Sequence, residues 1–162
     1  MKSLCILFIV LLLPAFFSCS TKDDVQPPLP EDVFYIEYRT FNMAGETRLK
    51  LYRDSIRYTA SDATRSPIRF TDTLRASTAP HLLSVLNSLP PLADFWRMTD
   101  VPGNPRIADE QVELITVSGY ESGNAPLASR TVITKTLRYE GSEPTSLSPF
   151  IAKVDSLVKT LK

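Results

Sequence analysis

Chemistry needs reactive side chains brought together, and this sequence offers few. His81 is the only imidazole among 162 residues. As a general base it needs a nucleophile and an orienting carboxylate supplied by the fold. Its place in the first turn of a helix, whose positive end disfavours an imidazolium, reads as a surface position. In Gly119-Tyr120-Glu121-Ser122-Gly123 a serine stands between glycines. A nucleophile elbow needs that serine midway, on a strand-to-helix turn, so this run reads as a turn between strands. Asp100, Asn104, Asp109 and Glu110 offer oxygen ligands for calcium at a spacing that fits no EF-hand; they read as solvated loop acids. The two cysteines, Cys5 and Cys19, are too few for a zinc or iron–sulfur site and leave the body of the chain without a disulfide. Five glycines form no phosphate-binding loop. No metal and no cofactor is expected. Paired carboxylates for a small glycan hydrolase stay open, because partners can come from distant strands. Against that reading, no acid stands isolated in an apolar run that would raise its pKa.

Charge narrows the partners. Eighteen Lys and Arg balance eighteen Asp and Glu, which removes the electrostatic footprint of non-specific nucleic-acid binding. The distribution is uneven: residues 33–80 hold eight basic and five acidic side chains, and residues 81–145 hold eight acids against five bases. Arg48, Lys50, Arg53 and Arg57, flanked by Tyr52 and Tyr58, form a candidate surface for a protein or glycan partner. The same charges also suit a solvated strand face that discourages edge-to-edge pairing.

The N-terminus reads as an address. Lys2 precedes an apolar run from residue 4 to residue 17. As a helix that run is about 21 Å long, short of the ~20 residues that a permanent span needs. It ends at Ser18-Cys19, a small residue directly before a cysteine. This resembles the lipobox of bacterial lipoproteins, with Phe16 and Phe17 where the usual box has an aliphatic and a small residue. Lys22-Asp23-Asp24 resembles the export signal that directs lipoproteins of the Bacteroidota to the outer face of the outer membrane. The resemblance implies a signal peptide over residues 1–18, diacylation of Cys19 and a membrane partner reached through that lipid. Two or three acyl chains anchor durably, at ~0.8 kcal/mol per buried CH₂. Residues 19–32, with Pro27, Pro28 and Pro30, read as an extended tether.

Residues 33–162 then have to supply the domain. Phe34, Ile36 and Tyr38 alternate with Tyr35, Glu37 and Arg39, the period of a half-buried strand. A turn at Asn42-Met43-Ala44-Gly45 leads to a second alternating run over residues 47–53. A third strand passes through Ile56 and Tyr58, and a fourth covers residues 68–74. Leu82, Val85, Leu86 and Leu89 make a helical stripe, opened by Pro80 and stopped by Pro90-Pro91. Phe95 and Trp96 read as a plug at the end of the sheet, and residues 111–118 and 131–139 as a hairpin. Leu147, Phe150, Ile151, Val154, Leu157, Val158 and Leu161 repeat at helical spacing behind Ser148 as N-cap and Pro149. The fold class expected is a single α+β domain: a mostly antiparallel sheet of five or six strands with two helices on one face.

Ile36-Glu37-Tyr38 followed by Phe41-Asn42-Met43-Ala44-Gly45 resembles the opening of emfourin-type protease-inhibitor domains. There a first strand runs into a Gly-Gly-Phe-Ala-Gly loop; Phe41 and Asn42 stand here for glycines and Met43 for the Phe. The resemblance implies a domain that blocks a secreted metalloprotease, with Asn42, Met43, Ala44 and Gly45 as the candidate loop. The sequence as a whole is read as a lipid-anchored, surface-exposed module that binds a partner and catalyses nothing.

Overall fold

The computed structural model describes residues 25–64, 67, 69–77, 79–102, 111–123, 126–141 and 144–161. Cys19, Lys22, Asp23 and Asp24 lie outside them, as do Asn104, Asp109 and Glu110.

Six strands build one sheet: β1 (Val33–Asn42), β2 (Gly45–Tyr52), β3 (Ser55–Asp62), β4 (Arg69–Ala76), β5 (Val112–Tyr120) and β6 (Val132–Glu140). Their spatial order is β4-β3-β2-β1-β5-β6, and every neighbouring pair is antiparallel. The described α-helices are α1 (Ala79–Leu86), α2 (Leu92–Arg97) and α3 (Ser148–Leu161). The molecule is a single α+β domain. None of its described helices is long and apolar enough to cross a membrane.

Period-2 alternation puts Ile36 and Tyr38, Leu49 and Leu51, Ile56 and Tyr58, Ile115 and Val117, and Leu137 and Tyr139 on one face. That face meets Leu82, Val85 and Leu86 of α1, Phe95 of α2, and Phe150, Val154, Val158 and Leu161 of α3 in one core. Each fully buried side chain of this size contributes ~1.5–3 kcal/mol. The three described helices cover this inner face, and among the described residues no helix lies on the outer face of the sheet.

Four local readings change. Val33, not Phe34, enters the core: the register slips between Val33 and Tyr35, so Phe34 is the extra residue of a bulge and packs on Tyr120 at 5.2 Å. Phe95 and Trp96 sit on α2, a helix too short to show a period. Ser148 already has helical angles (φ −53°, ψ −40°) behind a 3₁₀ turn at Thr145–Leu147, so it is not an N-cap. The stretch expected to be tether is partly docked. Pro28 is buried, and a Cβ on Gly119 would stand 2.8 Å from the Pro28 Cβ. Ser122 Oγ donates to the Pro27 carbonyl, Arg130 pairs with Asp32 at 2.8 Å, and Arg53 donates to the carbonyls of Val33 and Glu31. Residues 27–32 therefore form a strap across the end of β5, made possible by the missing side chain at Gly119.

Candidate functional site

The residues singled out for chemistry do not converge. His81 is exposed on α1. Ser122 spends its hydroxyl on the Pro27 carbonyl, and Asp100 accepts the backbone N–H of Arg138 at 2.9 Å. Among the described residues no three His, Cys, Asp or Glu side chains gather as metal ligands.

What the fold does assemble is the outer face of β1–β4. β2 contributes Glu46, Arg48, Lys50 and Tyr52; β1 contributes Tyr35, Glu37, Arg39 and Phe41; β3 and β4 add Arg57 and Asp72. The expected basic patch is corrected here, because β1 and β4 bring Glu37 and Asp72 against it and β2 itself carries Glu46 two residues from Arg48. Glu37 sits 3.0 Å from Arg48 and 3.8 Å from Lys50. Glu46 meets Arg39 at 2.8 Å and Arg48 at 3.4 Å. Four cations thus face three carboxylates. Arg39 Nη2 donates to Glu46 Oε2 at 3.0 Å, while the Nε atoms of Arg39 and Arg48 are close to these acids without a directional hydrogen bond. At the edge, Arg57 grips Asp72 with two bonds of 3.1 and 2.7 Å. That bond holds the Asp72 carboxyl below its usual range and raises the Arg57 guanidinium.

Aromatic rings stiffen the same surface. Tyr35 and Tyr52 stack at 5.1 Å, with Lys50 Nζ 5.7 Å from the Tyr35 ring, and Arg39 lies 5.3 Å from the Phe41 ring. Two residues leave the expected patch. Tyr58 faces the core at 2% exposure, because it alternates with Arg57 across the sheet. Arg53 lies past the end of β2 and holds the strap. Arg48, Lys50, Tyr52 and Arg57 remain together on the outer face.

The candidate loop caps one end of this face. Asn42 and Gly45 pair, leaving Met43 and Ala44 as the tip. Asn42 Oδ1 accepts the Ala44 N–H at 2.9 Å, and Met43 is 76% exposed. Gly45 has φ +149°, and a Cβ there would fall 2.0 Å from the Ser61 carbonyl oxygen. Only glycine fits. A shallow hollow of about 380 Å³ lies beside the tip, between Met43, Ala44 and Thr64. A wider one, about 540 Å³, lies on the helical side between Leu89, Pro91, Met98 and Pro149, with Asp94 as its one ionisable group.

A second cluster sits on the inner face and was not anticipated. Tyr38 and Tyr139 both donate their hydroxyls to Glu113 Oε2, and Gln111 Nε2 donates to Oε1 at 2.8 Å. Burial first, then the adjacent carboxylate, pushes both phenols far above their ordinary range. Glu113 is not among the residues singled out from the sequence, yet it shares the phase of Ile115 and Val117 and so points to the inner face. That phase was its signal. Gln111 of this cluster lines a shallow hollow beside Thr40 and Asp62, and the chemistry of Glu113 is that of a half-buried carboxylate with three donors.

No protein-family model matches the chain, and none of the curated proteins matches it.

Proposed function

We propose that this chain is a lipid-anchored bacterial surface protein whose domain is a non-catalytic binding module, with the outer sheet face as its docking surface for a protein or glycan. One observation carries the choice of surface. Every described helix packs on the other side, which leaves the outer face uncovered by any described element, with Tyr, Phe and Arg side chains already ordered by ion pairs and stacking. Its carboxylates are engaged by cations rather than set opposite one another across a cleft. The anchor rests on Cys19 and on Lys22-Asp23-Asp24.

Two experiments test the two halves. Cys19→Ala should abolish palmitate labelling and release the protein from membranes; retention after a carbonate wash refutes the anchor. Photocrosslinkers at Tyr52 and at Asn87 sample the outer and helical sides on intact cells. Adducts from position 52 alone support the docking surface, and adducts from position 87 alone overturn it. Metalloprotease inhibition is a second reading, favoured by Met43 standing exposed on a hairpin braced by Asn42 and Gly45. Absence of inhibition of a panel of secreted metalloproteases at micromolar protein retires it.

A further inference from the structure

The two edges of the sheet differ. β6 is closed over part of its length: Val101 N donates to the Arg138 carbonyl at 2.9 Å, Glu140 N donates to the Val101 carbonyl at 3.2 Å, and Lys135 Nζ donates to the Met98 carbonyl at 2.8 Å. β4 pairs with β3 alone, in an unbroken register from Ser55↔Ala76 to Asp62↔Arg69. Ser77 N donates to the Asp54 carbonyl at 2.7 Å. Alternation along the antiparallel ladder from that pair turns the N–H and C=O groups of Phe70, Asp72 and Leu74 away from β3, into solvent. No described residue bonds to them. The side chains of the same three residues lie on the outer face, where Phe70 is 78% and Leu74 69% exposed.

Edges this open are normally defended by charge, a bulge or a cover. This one carries two arginines and one aspartate. Arg69 and Arg75 lie on the opposite side of β4, beside Asp62 and Ile56, and neither is in an ion pair with a described residue, whereas Asp72 is matched by Arg57. The arginines repel an incoming strand with cations at those positions and favour one with acids. Two copies of β4 do not satisfy this. Antiparallel pairing centred on Asp72 sets Asp72 against Asp72 and Arg69 against Arg75. Centred on Thr73, it sets Asp72 against Leu74 and Phe70 against Ala76.

We infer that β4 is a strand-addition site for an extended segment of a partner protein in which residues are spaced acid, apolar, three of any type, apolar, acid. The acids face Arg75 and Arg69, the apolar residues cover Leu74 and Phe70, and the partner backbone completes the amides of Phe70, Asp72 and Leu74. The pattern reads the same in both directions, so it serves a parallel or an antiparallel strand. This inference rests on the edge alone and stands apart from the lipid anchor.

The test titrates the full chain in detergent with a capped peptide, Thr-Glu-Val-Thr-Lys-Thr-Val-Glu-Thr, and reads amide hydrogen exchange by residue. The expected result is slowed exchange at Phe70, Asp72 and Leu74, with affinity at least tenfold weaker when both peptide acids become Lys. Asp72→Pro removes one outward N–H without touching the β3 ladder and should abolish the effect, while Asp72→Ala keeps it. A melting curve for each variant separates lost binding from lost folding. The inference is overturned by unchanged exchange at millimolar peptide, by equal affinity for the Lys peptide, or by binding that survives Asp72→Pro. Sedimentation equilibrium showing a dimer that Asp72→Pro dissolves overturns it in favour of a second copy.

Discussion

Glu113 is the sharpest place to test the core. It lies in the apolar phase of β5, and its carboxylate accepts both phenols, Tyr38 and Tyr139, on one oxygen. Glu113→Ala leaves two largely buried hydroxyls without that acceptor, at ~1–3 kcal/mol each. Removing a partly buried charge offsets some of this. The net loss expected is about 2–4 kcal/mol, a large share of the ~5–15 kcal/mol that holds a domain folded. Tyr38→Phe and Tyr139→Phe each keep the carboxylate with a second phenol and Gln111, so each should lose less, about 1.5 kcal/mol. The double Phe variant strips both strong donors, and its loss should exceed the sum of the singles. Urea unfolding followed by the fluorescence of Trp96, the single tryptophan, reads all four, with the slope unchanged if only stability moves. Glu113→Ala within ~0.5 kcal/mol of the parent, or Phe variants more stable than it, would show that the cluster is not holding the strands.

Three further outcomes follow from other positions. Because the folded state holds the Tyr38 and Tyr139 protons more tightly than the unfolded chain, their contribution is complete below the unfolded value near 10 and declines as pH rises beyond it; two of the six tyrosines should ionise only as the chain unfolds, and six ionising together in a folded chain contradicts this. Gly45→Ala, forced onto the Ser61 carbonyl, should cost more than ~1 kcal/mol in urea and shift the β2–β3 amide resonances. Phe150→Ala, removing a fully buried ring packed edge-on to Tyr38, should cost about 3–5 kcal/mol, and a loss below 1 kcal/mol would displace that ring from the core.

The sequence made the layers legible because each buried stripe keeps its period. Leu82, Val85 and Leu86 repeat at helical spacing, and Leu49 and Leu51 alternate with Arg48 and Lys50, so helix and strand separate without any tertiary information. What stayed hidden depended on register. Glu37 reaches Arg48 and Lys50 only because β1 and β2 are paired at Glu37↔Lys50 and Arg39↔Arg48, which spacing along one strand does not encode. Glu46 and Arg48, by contrast, share β2 two residues apart and could have been read from alternation alone. Tyr58 was assigned to the wrong face by proximity to Arg57, although strand alternation alone opposes the two. Glu113 escaped because acids are counted as surface by default. The bulge at Phe34 moved Val33 inward against the alternation that residues 34–39 display.

The strap over Gly119 also decides how the fold carries force. Pro28 and the Asp32–Arg130 pair clamp the leader just ahead of β1, the strand bonded on both sides to β2 and β5. Tension arriving through the N-terminus is therefore passed along the axis of the central strand. Such tension would load two hydrogen-bonded ladders in shear at once instead of peeling a peripheral strand bond by bond.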